Sequence, residues 1–338
     1  MRNPLEAQHP VVMAFRTGGW GDRLLTMPAL RALETLFSNR LTLICEDMAG
    51  ELIFNGLQLR SICEVVLRPY GNSSVGFDAE AVARDVGTCD LLLSIIPGYF
   101  PAIGTLIDRL SPTRSVGFAH GFEVTLPLDF NRHSVEPAFD IPRYLDPSLR
   151  IEDFATPVFA PKYQRQAREL RKAVPQGFRI LAVHAETKPQ KMWPASRFTT
   201  LLHLFLDRHP DFLAFVVGGK NLSLEAGQHS DRVIPCHGLP LPSDFCLVGE
   251  CDLFLGVDSC MLHAADLYRV PGVGLFGPTS YRQWGFRFSR SRHVCGDGTM
   301  EAIKVEEVLE ALESLLDRQD ETENSNPLAV PSDTPARI

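Results

Sequence analysis

A chain of 338 residues exceeds one ordinary domain and has room for two, each of about 150 residues with its own core. Its 45% hydrophobic and 22% charged residues are a globular balance that excludes a disordered or fibrous protein. A net charge of -8 excludes a partner held through the phosphates of duplex nucleic acid, which Lys and Arg must neutralise.

The opening residues, MRNPLEAQHP, are polar, and the apolar run behind them, VVMAF, is too short for the core of a secretory signal. Short apolar runs then alternate with helical patterns: VVMAFR (11–16), LTLIC (41–45), EVVLR (64–68), DLLLSII (90–96) and RSVGFA (114–119). That alternation predicts a parallel sheet covered on both faces. Between the first two runs, GDRLLTMPALRALETLF carries Leu24, Leu25, Pro28, Leu30, Leu33 and Leu36 at near-helical spacing and is the predicted first crossover helix. A stretch rich in Pro and Arg, 127–165, holds the predicted linker. The alternation restarts with RILAVH (179–184), a helix over 194–209, FLAFVVGG (212–219), DLFLGV (252–257), a helix over 259–269 and GVGLFGP (272–278). An amphipathic helix over 301–318 closes the fold, and the polar tail 319–338 is expected to be disordered. The expectation is therefore α/β: two Rossmann-like parallel-sheet domains, 1–160 and 161–318, facing a central cleft with ligands at the C-terminal ends of the strands. No stretch reaches the roughly 20 apolar residues of a membrane span, so a cytoplasmic protein is expected, with peripheral contact at a membrane surface left open.

Three strand-to-helix passages carry the candidate chemistry. In R-T-G-G-W-G-D (16–22), Gly19 and Gly21 let a ligand approach the backbone, and Asp22 enters the helix in its first turn. Leu24 takes the place of the third glycine of a dinucleotide fingerprint, and no GK[ST] follows. Asp22 has two readings, a cap for the helix or a base that takes a proton from an attacking hydroxyl. In G-V-D-S-C-M-L-H (256–263), a strand runs into a helix whose free N–H groups suit a diphosphate. Ser259 is the candidate N-cap, Asp258 a candidate for a sugar hydroxyl, and His263 either a donor to phosphate or a satisfied structural residue. In H-A-E-T-K-P-Q-K (184–191), Thr187, Lys188 and Lys191 stand together in a chain with six lysines, as a phosphate contact or as a solvated loop. The eight cysteines lie mostly in apolar runs without a CxxC pair and read as buried thiols, so no metal site is expected.

Together, GDRLLTMPALRALE, VHAETKPQKMWPASRF and GVDSCMLHAADLYRVPGVGLFGPTSYRQWG resemble, in order and spacing, the motifs of the ADP-heptose:lipopolysaccharide heptosyltransferases in glycosyltransferase family 9. The likeness spans roughly 11–317. It implies a GT-B fold and an inverting transfer without an obligatory metal or cofactor. It also implies an acceptor site in the first half and a nucleotide-sugar, ADP-heptose above all, in the second. On that resemblance Asp22 matches the catalytic base. Thr187, Lys191, Asp258 and His263 match the donor site and Glu225 the ribose-binding acid, while Ser259, Cys260 and Met261 beside them are further donor-site candidates. Cys260 departs from the family's glycine. Gly19, Gly21, Arg23, Arg60, Arg109 and Arg132 are candidate acceptor contacts. Residues 1–150 nevertheless hold no lysine and more acidic than basic groups, which leaves open whether the acceptor belongs to lipopolysaccharide biosynthesis or is another glycan or glycolipid. A nucleotide-sugar epimerase and a non-catalytic sugar-nucleotide-binding protein are the alternatives.

Overall fold

The computed structural model describes residues 3–15, 18–70, 74–98, 101–219, 224 and 227–324. Its first half contains β1 (Pro10–Met13), β2 (Thr42–Glu46), β3 (Ser61–Val65), a two-stranded antiparallel pair β4 (Arg68–Tyr70) and β5 (Ser74–Gly76), then β6 (Leu91–Ser94), β7 (Arg114–Gly117) and β8 (Val124–Thr125). Its helices are α1 (Trp20–Leu24), α2 (Met27–Phe37), α3 (Ala49–Leu52), α4 (Ala79–Val86), α5 (Pro101–Leu110) and α6 (Glu136–Leu145). The second half contains β9 (Arg179–His184), β10 (Phe212–Val216), β11 (Val233–Pro235), β12 (Leu253–Val257), β13 (Gly272–Phe276) and β14 (Ser291–Cys295). Around them lie α7 (Pro161–Lys172), α8 (Ala195–Arg208), α9 (Leu241–Gly249), α10 (Cys260–Leu267), α11 (Tyr281–Trp284) and α12 (Val305–Asn324).

Each half forms a six-stranded parallel sheet, in the orders β3-β2-β1-β6-β7-β8 and β11-β10-β9-β12-β13-β14. Both reverse direction beside their first strand, so each has a crevice at the C-terminal ends of its central strands. The central strands are buried, apart from Arg179 at the start of β9, because crossover helices cover both faces, which is why they read as largely apolar runs.

The first crossover departs from the single helix expected. It breaks between Leu24 and Met27, because Pro28 has no N–H to offer the carbonyl of Leu24 one turn earlier. The break frees the five-residue α1 to point into the cleft. The linker region is also more ordered than a connection: α6 packs on α2, and Arg31 Nη1 donates to the carbonyls of Phe154 and Thr156. One apolar cluster continues from α2 through Phe139 and Phe159 to Phe245 on α9, with Phe159 and Phe245 stacked at 5.7 Å. The closing helix starts at Val305 and runs past Arg318, where the polar tail was expected to begin, to Asn324; residues 325–338 lie outside the described residues. Among the described residues no helix is long and apolar enough to cross a membrane.

A candidate active site between the two halves

The two crevices open into one cleft of about 840 Å³. Its first-half wall is Gly18, Gly19, Trp20, Gly21, Asp22 and Leu52, and its second-half wall includes Thr187, Lys191, Asp258, Ser259, Cys260, Met261 and His263. Thus Asp22, Gly19, Gly21 and seven of the residues expected at the donor site are brought together. Glu225, the remaining one, lies outside the described residues.

Asp22 is held locally. The Gly19 amide donates to its Oδ2 at 2.8 Å, an N3 carboxylate capping the N-terminus of α1. Both readings of Asp22 therefore meet in one geometry, since a carboxylate that accepts one amide keeps free lone pairs for a proton from the cleft. Arg23 is turned away: Nη1 donates to the Gly18 carbonyl, Nε is ion-paired with the buried Glu46, and the guanidinium lies 4.8 Å from the centre of the Trp20 ring. It braces the loop and does not line the cleft. Arg60 sits against His9, Arg109 pairs with Glu80, and Arg132 pairs with Glu136 and Asp140. None of these three arginines lines the cleft either.

On the opposite wall, side chains from two strand ends converge. Lys191, beyond β9, places Nζ 2.9 Å from Asp258 Oδ2 beyond β12, and Thr187 Oγ1 donates to the Asp258 carbonyl at 3.2 Å. His263, one turn into α10, is 3% exposed, with Nε2 4.0 Å from Asp258 Oδ1. Burial pushes its pKa down to about 4, against the smaller pull of Asp258. The imidazole is therefore neutral near pH 7 and offers one N–H, not a positive charge. Its Nδ1, the Ser259 hydroxyl and the Thr279 hydroxyl are buried at the cleft without a hydrogen-bond partner among the described residues. Ser259 and His263 stand at the start of α10 and Thr279 beyond β13, and three such orphans at one cleft suit an anionic, hydroxyl-rich ligand.

The walls touch where α1 meets α10. An ideal Cβ on Gly21 would stand 2.7 Å from His263 Cδ2 and 3.3 Å from Cys260 Cα, so only glycine allows α1 to lie this close to α10. Cys260 is the first residue of α10, and burial pushes its thiol up to about 12, which makes it an inert wall group. Among the described residues no three His, Cys, Asp or Glu side chains group as metal ligands.

Sequence reasoning passed over several lining residues. Trp20, Thr279 and Trp284 stood inside the motif segments, and His184 and Glu186 stood at the end of β9, where the position alone was a signal. Asp244, in the first turn of α9, gave none, because an acid there reads as a helix-start residue.

No curated protein matches the chain. Among solved structures it is similar to the glycosyl transferase family 9 protein of Veillonella parvula DSM 2008, with a TM-score of 0.72 and 18% identity over 92% of this chain and 97% of that one. It is also similar to the E. coli ADP-heptose LPS heptosyltransferase II (TM-score 0.67, 14% identity, 92% and 99% covered) and to E. coli heptosyltransferase WaaC with ADP (0.64, 14%, 90% and 99%). These likenesses identify the fold as GT-B. The model of glycosyltransferase family 9 (heptosyltransferase) matches residues 109–312, which include every donor-side segment and leave Asp22 ahead of the match. With more than half of its length matched, the chain belongs to glycosyltransferase family 9 and is a glycosyltransferase.

Proposed function

We propose that this enzyme transfers a heptose from an ADP-linked donor to a hydroxyl of a glycan or glycolipid, with inversion at the anomeric carbon. The observation that carries the reading is the shared cleft, in which Asp22 comes from one half and Lys191, Asp258 and His263 from the other. Asp22 takes the proton of the acceptor hydroxyl as its oxygen bonds to the anomeric carbon. The bond from that carbon to the diphosphate breaks on the opposite side, and the nucleoside diphosphate leaves with the electron pair. Lys191, the N-terminus of α10 and the single N–H of neutral His263 meet the departing charge, and the scheme requires no metal. Membership of a heptosyltransferase family favours heptose, and the structural neighbour WaaC, solved with ADP, favours adenine. A cytoplasmic enzyme meeting its acceptor at a membrane surface fits the lack of a spanning helix among the described residues. With Arg60, Arg109 and Arg132 away from the cleft, those arginines do not select a polyanionic acceptor, and assignment to lipopolysaccharide biosynthesis rests on the family alone.

A thermal-shift panel of nucleotide-sugars tests the reading. A ligand at 100 times its dissociation constant stabilises the folded state by about 2.7 kcal/mol. ADP-heptose should raise the melting temperature more than UDP- or GDP-sugars. A larger response to another nucleotide would replace the donor, and silence across the whole panel would overturn the nucleotide-sugar reading.

A further inference from the structure

The first-half wall of the cleft offers mostly apolar contact. Among the described residues its side chains are Trp20, Asp22 and Leu52, and the rest is glycine backbone. The cations that line the cleft, Lys188 and Lys191, belong to the opposite wall, where the departing diphosphate is met. Trp20 opens α1 two residues ahead of Asp22, and its partly buried ring is held from behind. The guanidinium of Arg23 lies 4.8 Å from the ring centre and is itself fixed, by the Gly18 carbonyl at 2.7 Å and by the buried Glu46. With one face against Arg23, the ring meets the cleft with its other face. On the opposite wall Trp284, at the end of α11, stands 6.2 Å from the ring of His263, the residue that faces Gly21. The chain holds three tryptophans, and the third, Trp193, is 1% exposed and donates to the Ile303 carbonyl. Both indoles outside the core therefore line the cleft, one from each wall.

An indole face is flat and carries the negative end of the ring quadrupole. The ligand that fits it is a pyranose, whose axial C–H bonds make one face of the ring apolar and weakly positive while the hydroxyls stay at the rim. A phosphate or carboxylate placed there would find no described cation on this wall, and Asp22 would repel it. A sugar laid on Trp20 instead brings a rim hydroxyl towards the carboxylate two residues along the same short helix. We propose that Trp20 is the platform for the acceptor, an uncharged pyranose that stacks its C–H face on the indole and turns the attacking hydroxyl to Asp22. This rests on reading the cleft as a glycosyl-transfer site. It makes Trp20 a specificity residue that selects a neutral acceptor unit over a phosphorylated or acidic one, through a contact that salt does not screen.

The test is ligand-observed NMR titration of full-length wild type, Trp20→Ala and Trp20→Phe, each saturated with whichever of ADP, GDP and UDP it binds. The probes are two matched pairs, methyl β-glucopyranoside beside its glucuronide and methyl β-galactopyranoside beside its galacturonide. Wild type should bind at least one neutral glycoside, more tightly than the acidic partner and equally well at low and high salt. Trp20→Ala should weaken that binding about tenfold, the scale of one ring stacked on an aromatic side chain. Trp20→Phe keeps a flat ring and should retain most of the affinity, and nucleotide affinity should be the same in all three proteins, which separates a lost platform from a lost fold. Wild type that binds no neutral glycoside, or binds the acidic partners as well or better, overturns the proposal without needing a variant. Neutral-glycoside affinity unchanged in a folded Trp20→Ala overturns it as well, and each of these results leaves the nucleotide-sugar reading standing. Wild type that binds none of the three nucleotides overturns that reading and this proposal with it.

Discussion

The two halves share one strand order and put different chemistry at the same topological place. Beyond β1 the cleft-facing group is held locally: Asp22 is held by an amide three residues away, and Arg23 braces the carbonyl of Gly18 from beside it, reaching back only to Glu46 of β2. Beyond β9, β10 and β12 everything is assembled at long range: Lys191 meets Asp258, 67 residues on, and the Gly218 amide meets Asp244. The proposed base needs only a position and a free lone pair, which one tight turn supplies. Holding a charged, many-atom ligand needs donors aimed from several directions, which one loop cannot supply.

The comparison breaks most directly at Asp22. Asp22→Asn keeps the cap acceptor for the Gly19 amide, so melting temperature and donor affinity should stay near wild type, while single-turnover transfer falls about 100- to 10,000-fold. Transfer within a few-fold of wild type would reduce Asp22 to a helix cap.

Asp244 sharpens the same contrast through stability. Burial pushes its pKa up to about 7 from 3.8. Between those values the folded protein holds more protons than the unfolded chain, so wild-type stability falls as pH rises from about 4 to about 7 and stays lowered above. Asp244→Asn escapes that loss. It should be more stable than wild type by about 2 to 4 kcal/mol at pH 8, with the gap closing towards pH 4. Parallel denaturation midpoints for the two proteins across that range would show that the carboxylate does not titrate where its burial requires.

Lys191 gives the smallest effect of the three and the most mixed one. Lys191→Ala should weaken donor binding by about 1.5 to 3 kcal/mol. It should also lower the melting temperature, because Asp258, whose side chain is 5% exposed, is left without its cation. Donor affinity unchanged in calorimetry would take Lys191 out of the site.

The distinction between local and assembled features also decides what the sequence reveals. Central strands such as LLLS and LFLGV announce themselves, because burial on both faces leaves them almost wholly apolar. The edge strands β11, three residues long, and β14, SRHVC, do not, since half-exposed edges take charged residues and need not alternate. The break after Leu24 was written in Pro28, but a long leucine-rich stripe hid it. Glycines and an acid at a strand end mark a site within seven residues, as 16–22 does. Pairing is another matter. Arg109 with Glu80 and Arg132 with Asp140 are set by packing, so the four arginines expected at the acceptor side are dispersed, and Asp244 becomes visible only once α9 lies under the cleft.

The hydrogen atom that stands for a side chain at Gly21 has a mechanical meaning. His263 beside it is 3% exposed and Cys260 Cα is main chain, so neither yields readily to a methyl group. Alanine at this position would act as a wedge between α1 and α10, moving Asp22 away from His263 across the proposed line from proton acceptor to leaving group. Reaction distances near 3 Å leave little slack for such a wedge. The spacing of α1 from α10 is thus gauged by the thickness of one residue.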